Sequence, residues 1–170
     1  INIDSSLYSL LNVLNSKMNE VKSSIFLLLS NVHFHFSKVN FSNFIIDQSF
    51  LVLKSDCYGF FNNIFFQSFE FIDYFILADI DNSFIIKKCS FLKIKTEIKA
   101  EFSQRSDANG VILEMDKNNS LIVLSSLFSE IETTNDLFEA QDAKGFLNMI
   151  FQNNKLIFQN TEFFGFYIKQ

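Results

Sequence analysis

The feature that most constrains the fold is an irregular apolar spacing in NSFIIKKCSFLKI, residues 82–94. Its apolar side chains alternate at Phe84 and Ile86, skip two residues to Cys89, and alternate again to Phe91. An amphipathic helix would repeat every three or four residues, and a single strand would alternate throughout. The spacing therefore indicates two short strands joined by a bend.

The same spacing recurs along the chain as apolar-x-apolar-x-x-small-x-apolar-x-x-apolar. Its copies begin at residues 11, 34, 64, 84, 121 and 156. A second apolar run follows each copy, for example FLVL at 50–53, and polar turns such as DIDN at 79–82 separate the units. A strand-sized repeat of variable length is typical of a solenoid. We therefore predict an all-β domain over residues 1–170, with about six coils whose equivalent strands stack as parallel sheets. A short helix over 7–21 is the alternative for the first copy.

Stacked coils place like residues over like residues, so the repeat also predicts ladders of side chains. An aromatic ladder is expected at Phe41, Phe71, Phe91, Phe128 and Phe163. A ladder of hydrogen-bonded amides is expected at one corner, where Asn precedes the first apolar position by two residues. Its members are Asn62, Asn82, Asn119 and Asn154.

Two short segments, KKCSF at 87–91 and QNTEF at 159–163, resemble one strand of a known repeat. That repeat belongs to right-handed parallel β-helices of the pectin-lyase-like type, and the closer likeness is to their non-enzymatic surface repeats. NGVIL at 109–113 resembles the neighbouring strand of the repeat, although its usual Gly pair is mostly missing. The resemblance covers about residues 11–168. It implies the fold more firmly than the function, because one fold hosts many functions.

Charge and hydropathy exclude several classes of protein. The net charge is -5, and Arg105 is the only Arg, which disfavours binding to nucleic acid or to an anionic membrane surface. No stretch approaches the roughly 20 apolar residues of a membrane-spanning helix. Because the chain starts at Ile1 instead of Met, we expect a processed product or a segment of a longer protein.

Polar residues that could carry chemistry are few. Asp79 and Asp81 could bind a cation, but Asp is common in turns and we interpret both as turn residues. His33 and His35 flank an inward Phe, so both are expected on the surface without further metal ligands. We predict no catalytic residue, no metal site and no cofactor.

The cysteines and the two sequons suggest where the protein resides. Cys57 and Cys89 form either one disulfide or two buried thiols. Cys89 fills the small inward position of the repeat, so we interpret it as a core residue and not as a reactive thiol. The sequons begin at Asn40 and Asn118, and an N-linked glycan is the modification they would accept. Both side chains are expected to face solvent, one from a strand and one from a turn.

Three functions remain open. We favour a non-catalytic structural or adhesive module of an extracellular or cell-surface protein. Its uncapped terminal coils would continue into further solenoid or stack end to end into a filament. The alternative is a carbohydrate-active enzyme of the same fold acting on an acidic polysaccharide, which requires convergent Asp, Glu and Lys on one sheet face. An intracellular repeat scaffold is the third, favoured by free thiols and an unmodified Asn40 and Asn118.

Overall fold

The computed structural model describes the backbone of residues 2–71, 74–96, 111–134, 147–149 and 153–169. These residues form β-strands and no helix, so the alternative of a helix over 7–21 is wrong. Apolar residues alternate along the chain on both sides of the bend at Asn15. This is the pattern of two strands and not of an amphipathic helix. The strands are β1 Asn2–Leu14, β2 Lys17–Ser37, β3 Asn40–Ser55, β4 Tyr58–Asn62, β5 Phe65–Phe71, β6 Tyr74–Ile80, β7 Ser83–Lys87, β8 Ser90–Thr96, β9 Val111–Lys117, β10 Ser120–Leu124, β11 Leu127–Thr134, β12 Leu147–Met149, β13 Lys155–Gln159 and β14 Glu162–Lys169.

Parallel pairing arranges these strands as three walls of an all-β solenoid. The first wall contains β4, β7, β10 and β13 next to parts of β1 and β2. The second wall contains β5, β8, β11 and β14 next to parts of β2 and β3. The third wall contains β6, β9 and β12 next to parts of β1, β2 and β3. Because β2 and β3 run around corners, the walls form one continuous sheet.

Two corners flank the first wall, and each turns on a residue with positive φ. The amide corner, between the third and first walls, turns on Asn31, Asp56, Asp81, Asn118 and Asn153. The small-residue corner, between the first and second walls, turns on Asn15, Lys38, Asn63, Lys88, Ser125 and Asn160. Asn and Asp adopt this left-handed conformation more readily than most residues, because their short polar side chains can bond locally. This preference explains why turn residues mark the coils in the sequence.

A third position with positive φ lies inside the second wall, five residues after the small-residue corner. It is a bulge formed by Glu20, Asn43, Ser68, Lys93, Glu130 and Gly165. The extra residue interrupts the alternation of the strand. It accounts for the second jump of three in the repeat, from Phe91 to Ile94, whereas the small-residue corner at Lys88 accounts for the first, from Ile86 to Cys89. The amide corner always precedes the small-residue corner by seven residues. From the second coil onward, coils therefore differ in length between the bulge and the next amide corner. In the first coil the strand register also shifts between Asp4 and Ser9.

The strand register corrects the third copy of the repeat. Gly59 pairs with Phe34 and with Phe84, so this copy starts at residue 59 instead of residue 64. The apolar pattern missed it because Gly59 has no side chain. A Cβ at this position would lie 1.8 Å from Cζ of Phe34. The ring of the neighbouring coil therefore occupies the space that an apolar side chain fills elsewhere.

The core contains stacked aromatic rings, in a column that differs from the predicted one at one residue. Phe41, Phe66, Phe91, Phe128 and Phe163 pair in register, with centroid separations of 5.3, 4.7, 4.4 and 5.1 Å. Phe71 does not belong to this column, because it pairs with Ile46 and Thr96 near the end of the second wall. Each ring pair contributes roughly 0.5–1.5 kcal/mol beyond its buried area.

Candidate functional site

A groove of about 450 Å³ lies on the outer face of the second wall and crosses β3, β5, β8 and β11. It follows the bulge positions of these strands. Its lining side chains come from the bulge position and from the position two residues later. They include Asn43, Ile45, Ser68, Glu70, Lys93, Lys95, Glu130 and Glu132. The irregular step of the repeat thus lies within a surface depression.

Charges of both signs alternate along this groove from coil to coil. Lys95 pairs in register with Glu70 on one side and with Glu132 on the other. Lys93 and Glu130 occupy the neighbouring bulge positions of the same coils. Opposite charges on adjacent strands attract each other, so these cross-strand pairs stabilise the second wall. The same side chains offer ammonium donors and carboxylate acceptors to a ligand with hydroxyl or charged groups.

Sequence reasoning missed this groove, although a signal for it was present. The segments KIK at 93–95 and EIE at 130–132 each place two like charges around an inward Ile, at the same point of the repeat. In stacked coils such segments must be neighbours. Combining the repeat register with the sign of the charges would therefore have predicted an ionic surface on this wall.

The amide corner holds an inner ladder of Asn82, Asn119 and Asn154. Oδ1 of each accepts a hydrogen bond from the backbone N–H one coil earlier, at Cys57, Asn82 and Asn119, over 3.0, 3.0 and 2.8 Å. Asn82 and Asn119 are both 1% exposed. Nδ2 of Asn119 also donates to the carbonyls of Ala78 and Asp79. The side chains thus satisfy backbone groups that the turn removes from the sheet.

Asn62 lies outside this ladder, contrary to the prediction. It is the last residue of β4 and pairs with Ser37 and Lys87. The misplaced third copy caused the error, because the register puts Cys57 at the ladder position of that coil.

An outer ladder runs beside the inner one at the surface of the amide corner. Nδ2 of Asn118 donates to Oδ1 of Asp81 over 2.9 Å, and Nδ2 of Asn153 donates to Oδ1 of Asn118 over 3.2 Å. Asp79 forms an ion pair with Lys54, with 3.1 Å between Nζ and Oδ2. Both aspartates of the DIDN turn therefore have partners within the protein.

The two sequons occupy different surroundings. Asn118 is exposed in a turn, as expected, and its amide takes part in the outer ladder. Asn40 is half-buried at the start of β3, between Lys17 and Phe65 of the adjacent strands. Its Oδ1 is buried with no hydrogen-bond partner, so the expectation that this side chain faces solvent is wrong for that oxygen. Asn118 is thus the more exposed of the two side chains.

Cys57 and Cys89 are free and buried, and they lie at different corners of the coil. Cys89 occupies the small inward position, where its N–H donates to Oγ of Ser126 over 3.1 Å and its thiol contacts the carbonyl of Lys87. Burial raises the pKa of the Cys89 thiol to about 11 and also raises the pKa of Cys57. A thiol that stays protonated at neutral pH is a poor nucleophile, so these residues act as core fillers.

The histidines lie on the outer face of the first wall, next to aromatic rings. His33 is exposed and packs edge-on against Tyr58, with ring centroids 5.2 Å apart. His35 is half-buried and stacks on Phe60, with centroids 5.4 Å apart. Over the described ranges, no three His, Cys, Asp or Glu residues gather in a group that could hold a metal ion.

Among the described residues we find no helix with the length and apolarity needed to span a bilayer. Comparisons of the chain with protein-family models, with curated proteins and with solved structures gave no match.

Proposed function

We propose that the chain is a non-catalytic structural or adhesive β-solenoid module of an extracellular or cell-surface protein. The observation that carries this proposal is the direction of its side-chain interactions. Aromatic stacks, the inner amide ladder and the outer amide ladder all run along the stacking axis. Each coil is bonded through side chains to the next, as suits a rigid rod that presents flat walls.

The adhesive surface of such a module would be the groove on the second wall. It is the place where Glu70, Lys93, Lys95, Glu130 and Glu132 converge over three adjacent strands. Ligands that exchange hydrogen bonds with both ammonium and carboxylate groups would fit this lining. A location outside the cell is supported by the exposed sequon Asn118, whose N-linked glycan would project from the amide corner.

A sharper assignment, to the non-enzymatic branch of right-handed pectin-lyase-like β-helices, also belongs to this proposal. It rests on KKCSF and QNTEF, which place Cys89 and Thr161 at the small-residue corner and Phe91 and Phe163 in the aromatic column.

Incubation of the chain with a panel of acidic and neutral polysaccharides tests the proposal. We expect no turnover, measured as new reducing ends or unsaturated products. Binding of a polysaccharide in the groove should fall in Lys93→Gln/Lys95→Gln and stay unchanged in Lys38→Gln/Lys88→Gln, which alters the small-residue corner. Turnover that disappears in Glu130→Gln/Glu132→Gln would contradict the proposal.

The second candidate function is a carbohydrate-active enzyme of the same fold. The observation that favours it is the convergence of Glu70, Glu130 and Glu132 with Lys93 and Lys95, which is the kind of sheet face that such an enzyme needs. Hydrolysis of a glycosidic bond requires one carboxyl group as proton donor and another as base or nucleophile. The same polysaccharide panel separates the two candidates, because only the enzyme would release products.

Intact mass of the protein isolated from its native source tests the proposed location. A mass increment that PNGase treatment removes, and that disappears in Asn118→Gln, is expected. An unmodified Asn118 together with free thiols would favour the intracellular scaffold instead.

A further inference from the structure

The outer face of the first wall carries an apolar middle row. This row crosses six strands and consists of Asn12, His35, Phe60, Ile85, Ile122 and Ile157. In the centre of the row, Phe60, Ile85 and Ile122 are each partly exposed to solvent. Tyr58, beside Phe60, is 48% exposed. The wall therefore presents a continuous run of apolar side chains on its outer side.

The sequence of these strands is typical of a parallel sheet that is covered on both faces. SFIIK at 83–87 and SLIVL at 120–124 are nearly continuous apolar runs, whereas a half-exposed strand alternates with polar residues. The six strand segments of the first wall, 10–14, 33–37, 58–62, 83–87, 120–124 and 155–159, contain no Asp or Glu. Their lysines, Lys87 and Lys155, lie at the two edges of the face and not in the middle row. The surface that fits this face is therefore an apolar one.

The face has the size of a small protein–protein interface. Its six strand segments hold five residues each. At about 4.8 Å between strands and about 3.3 Å per residue, they cover about 16 Å by 29 Å, so two such faces would bring together roughly 950 Å² of flat area. The accessible area is larger because side chains make a face rough, and specific interfaces begin at about 1,000 Å². The face is therefore large enough to pair two copies with an affinity in the micromolar range.

The face also complements a copy of itself. A two-fold axis along the middle row, parallel to the stacking axis, would place that row over the same row of the second copy. The first residue of each strand segment would then lie opposite the fifth. Tyr58 would oppose Asn62 and Ser83 would oppose Lys87, so groups that can form hydrogen bonds meet across the contact. No lysine would oppose a lysine, and the apolar middle rows would pack on each other.

We propose that the first wall binds the first wall of a second copy of this chain, face to face and with the two rods parallel. Phe60, Ile85 and Ile122 would each lie opposite the same residue of the second copy. Such a contact is isologous, so it closes after two copies. The inference goes beyond the proposed function, because it adds a partner at a face that the groove on the second wall does not use.

Sedimentation equilibrium at increasing protein concentration tests the pairing. The wild type should change from monomer to dimer. In Ile85→Lys two ammonium groups would face each other in the contact, so the dissociation constant should rise by at least about tenfold, with an unchanged circular dichroism spectrum. Leu92→Lys is the matched control: Leu92 lies in the same coil, is half-buried like Ile85, and faces outward from the second wall between Gln67 and Ser129. It should dimerise like the wild type.

Chemical cross-linking tests the symmetry of the contact. Sheets that pack face to face lie about 10 Å apart, so a bismaleimide of similar length should join Ile122→Cys to a second molecule of itself. Leu92→Cys should give no covalent dimer under the same conditions. The wild type supplies the background, because Cys57 and Cys89 are buried.

Three results would overturn this inference: a monomer at every concentration, a dimer that Ile85→Lys leaves intact, or equal cross-linking of Ile122→Cys and Leu92→Cys. A monomer that binds a polysaccharide through this wall, with binding lost in Ile85→Lys, would overturn it in favour of a glycan. A folded monomer leaves the proposed structural function in place. Turnover of a polysaccharide would refute that function and not the pairing.

Discussion

The two corners of each coil solve the same problem with different side chains. At both corners, one residue with positive φ is followed by an inward residue. At the amide corner, Asn119 accepts from the N–H of Asn82 and donates to the carbonyls of Ala78 and Asp79. At the small-residue corner, Ser126 accepts only from the N–H of Cys89 and donates within its own turn. An amide therefore links coils with several bonds, and a hydroxyl with one.

The comparison shows why the inward corner residue is polar in most of the later coils. A turn removes one backbone N–H from the sheet ladder, and a buried N–H without an acceptor is unfavourable. Asn, Ser and Thr can supply that acceptor from the next coil. Val39 and Ile64 carry no acceptor at the small-residue corner, so these coils depend more on apolar packing. The corners thus differ in how strongly they couple neighbouring coils.

The largest effect is expected from Asn119→Ala. This change removes the acceptor for the N–H of Asn82 and the donor to two carbonyls in a site that is 1% exposed. Each unsatisfied buried group costs about 1–3 kcal/mol, so the free energy of unfolding should fall by roughly 3 kcal/mol or more in a denaturant titration. Asn118→Gly, in the exposed outer ladder, should cost less than about 1 kcal/mol. Equal losses in the two variants would refute the special role of the inner ladder.

The pH dependence of stability should reveal the buried thiol at the small-residue corner. The pKa of Cys89 is raised to about 11 in the folded state. Since the unfolded thiol ionises first, its contribution is fully present below about pH 9 and is lost as the pH rises toward 11. The loss approaches roughly 2–3 kcal/mol. Cys89→Ser should flatten this part of the profile, which denaturant titrations at several pH values would show. An identical profile in both proteins would contradict the assignment.

A smaller effect is expected from Ser126→Ala at the same corner. The N–H of Cys89 loses its acceptor, and the free energy of unfolding should decrease by about 1–2 kcal/mol. Ser126→Thr keeps the hydroxyl, and Thr161 already occupies the equivalent position in the next coil. That variant should stay close to the wild type. A loss as large as that of Asn119→Ala would show that both corners couple the coils equally.

The smallest effect is expected from Lys88→Asn, which changes only the turn residue. Lys88 has a φ of 53° and an exposed side chain. Asn adopts this conformation with less strain, so stability should rise by roughly 0.5 kcal/mol, visible as a shift of the unfolding midpoint. A clear decrease would indicate that the Lys88 side chain stabilises the corner in another way.

Much of the fold was predictable because the repeat records it directly. Apolar spacing, turn residues and the jump of three gave the all-β class, the parallel stacking and most of the ladder residues. The errors share one cause: Gly59 carries no side chain, so the third copy was aligned five residues too late. Phe71 and Asn62 were consequently assigned to the repeat positions that Phe66 and Cys57 occupy. The right-handed twist of the solenoid stays a prediction.

The groove was less predictable than the core. Its charged side chains form a site only because their strands are neighbours in the wall. Which residues become neighbours depends on the number of residues between the bulge and the amide corner of each coil. That length varies, so segments such as KIK and EIE lie 37 residues apart in the sequence and one strand apart in the wall. The copies of the repeat that begin at residues 84 and 121 already align the two segments, so the missing step was to compare the signs of their charges.

The corrected register can be tested directly by one disulfide between coils. Phe60 and Ile85 are partners on adjacent strands of the first wall, so Phe60→Cys/Ile85→Cys should form an intramolecular disulfide, detected by mass spectrometry as the loss of two hydrogens. The register that starts the third copy at residue 64 would instead pair Phe65 with Ile85. Cross-linking of Phe60→Cys/Ile85→Cys, with none in Phe65→Cys/Ile85→Cys, is the predicted result. The reverse outcome would contradict the solenoid as described.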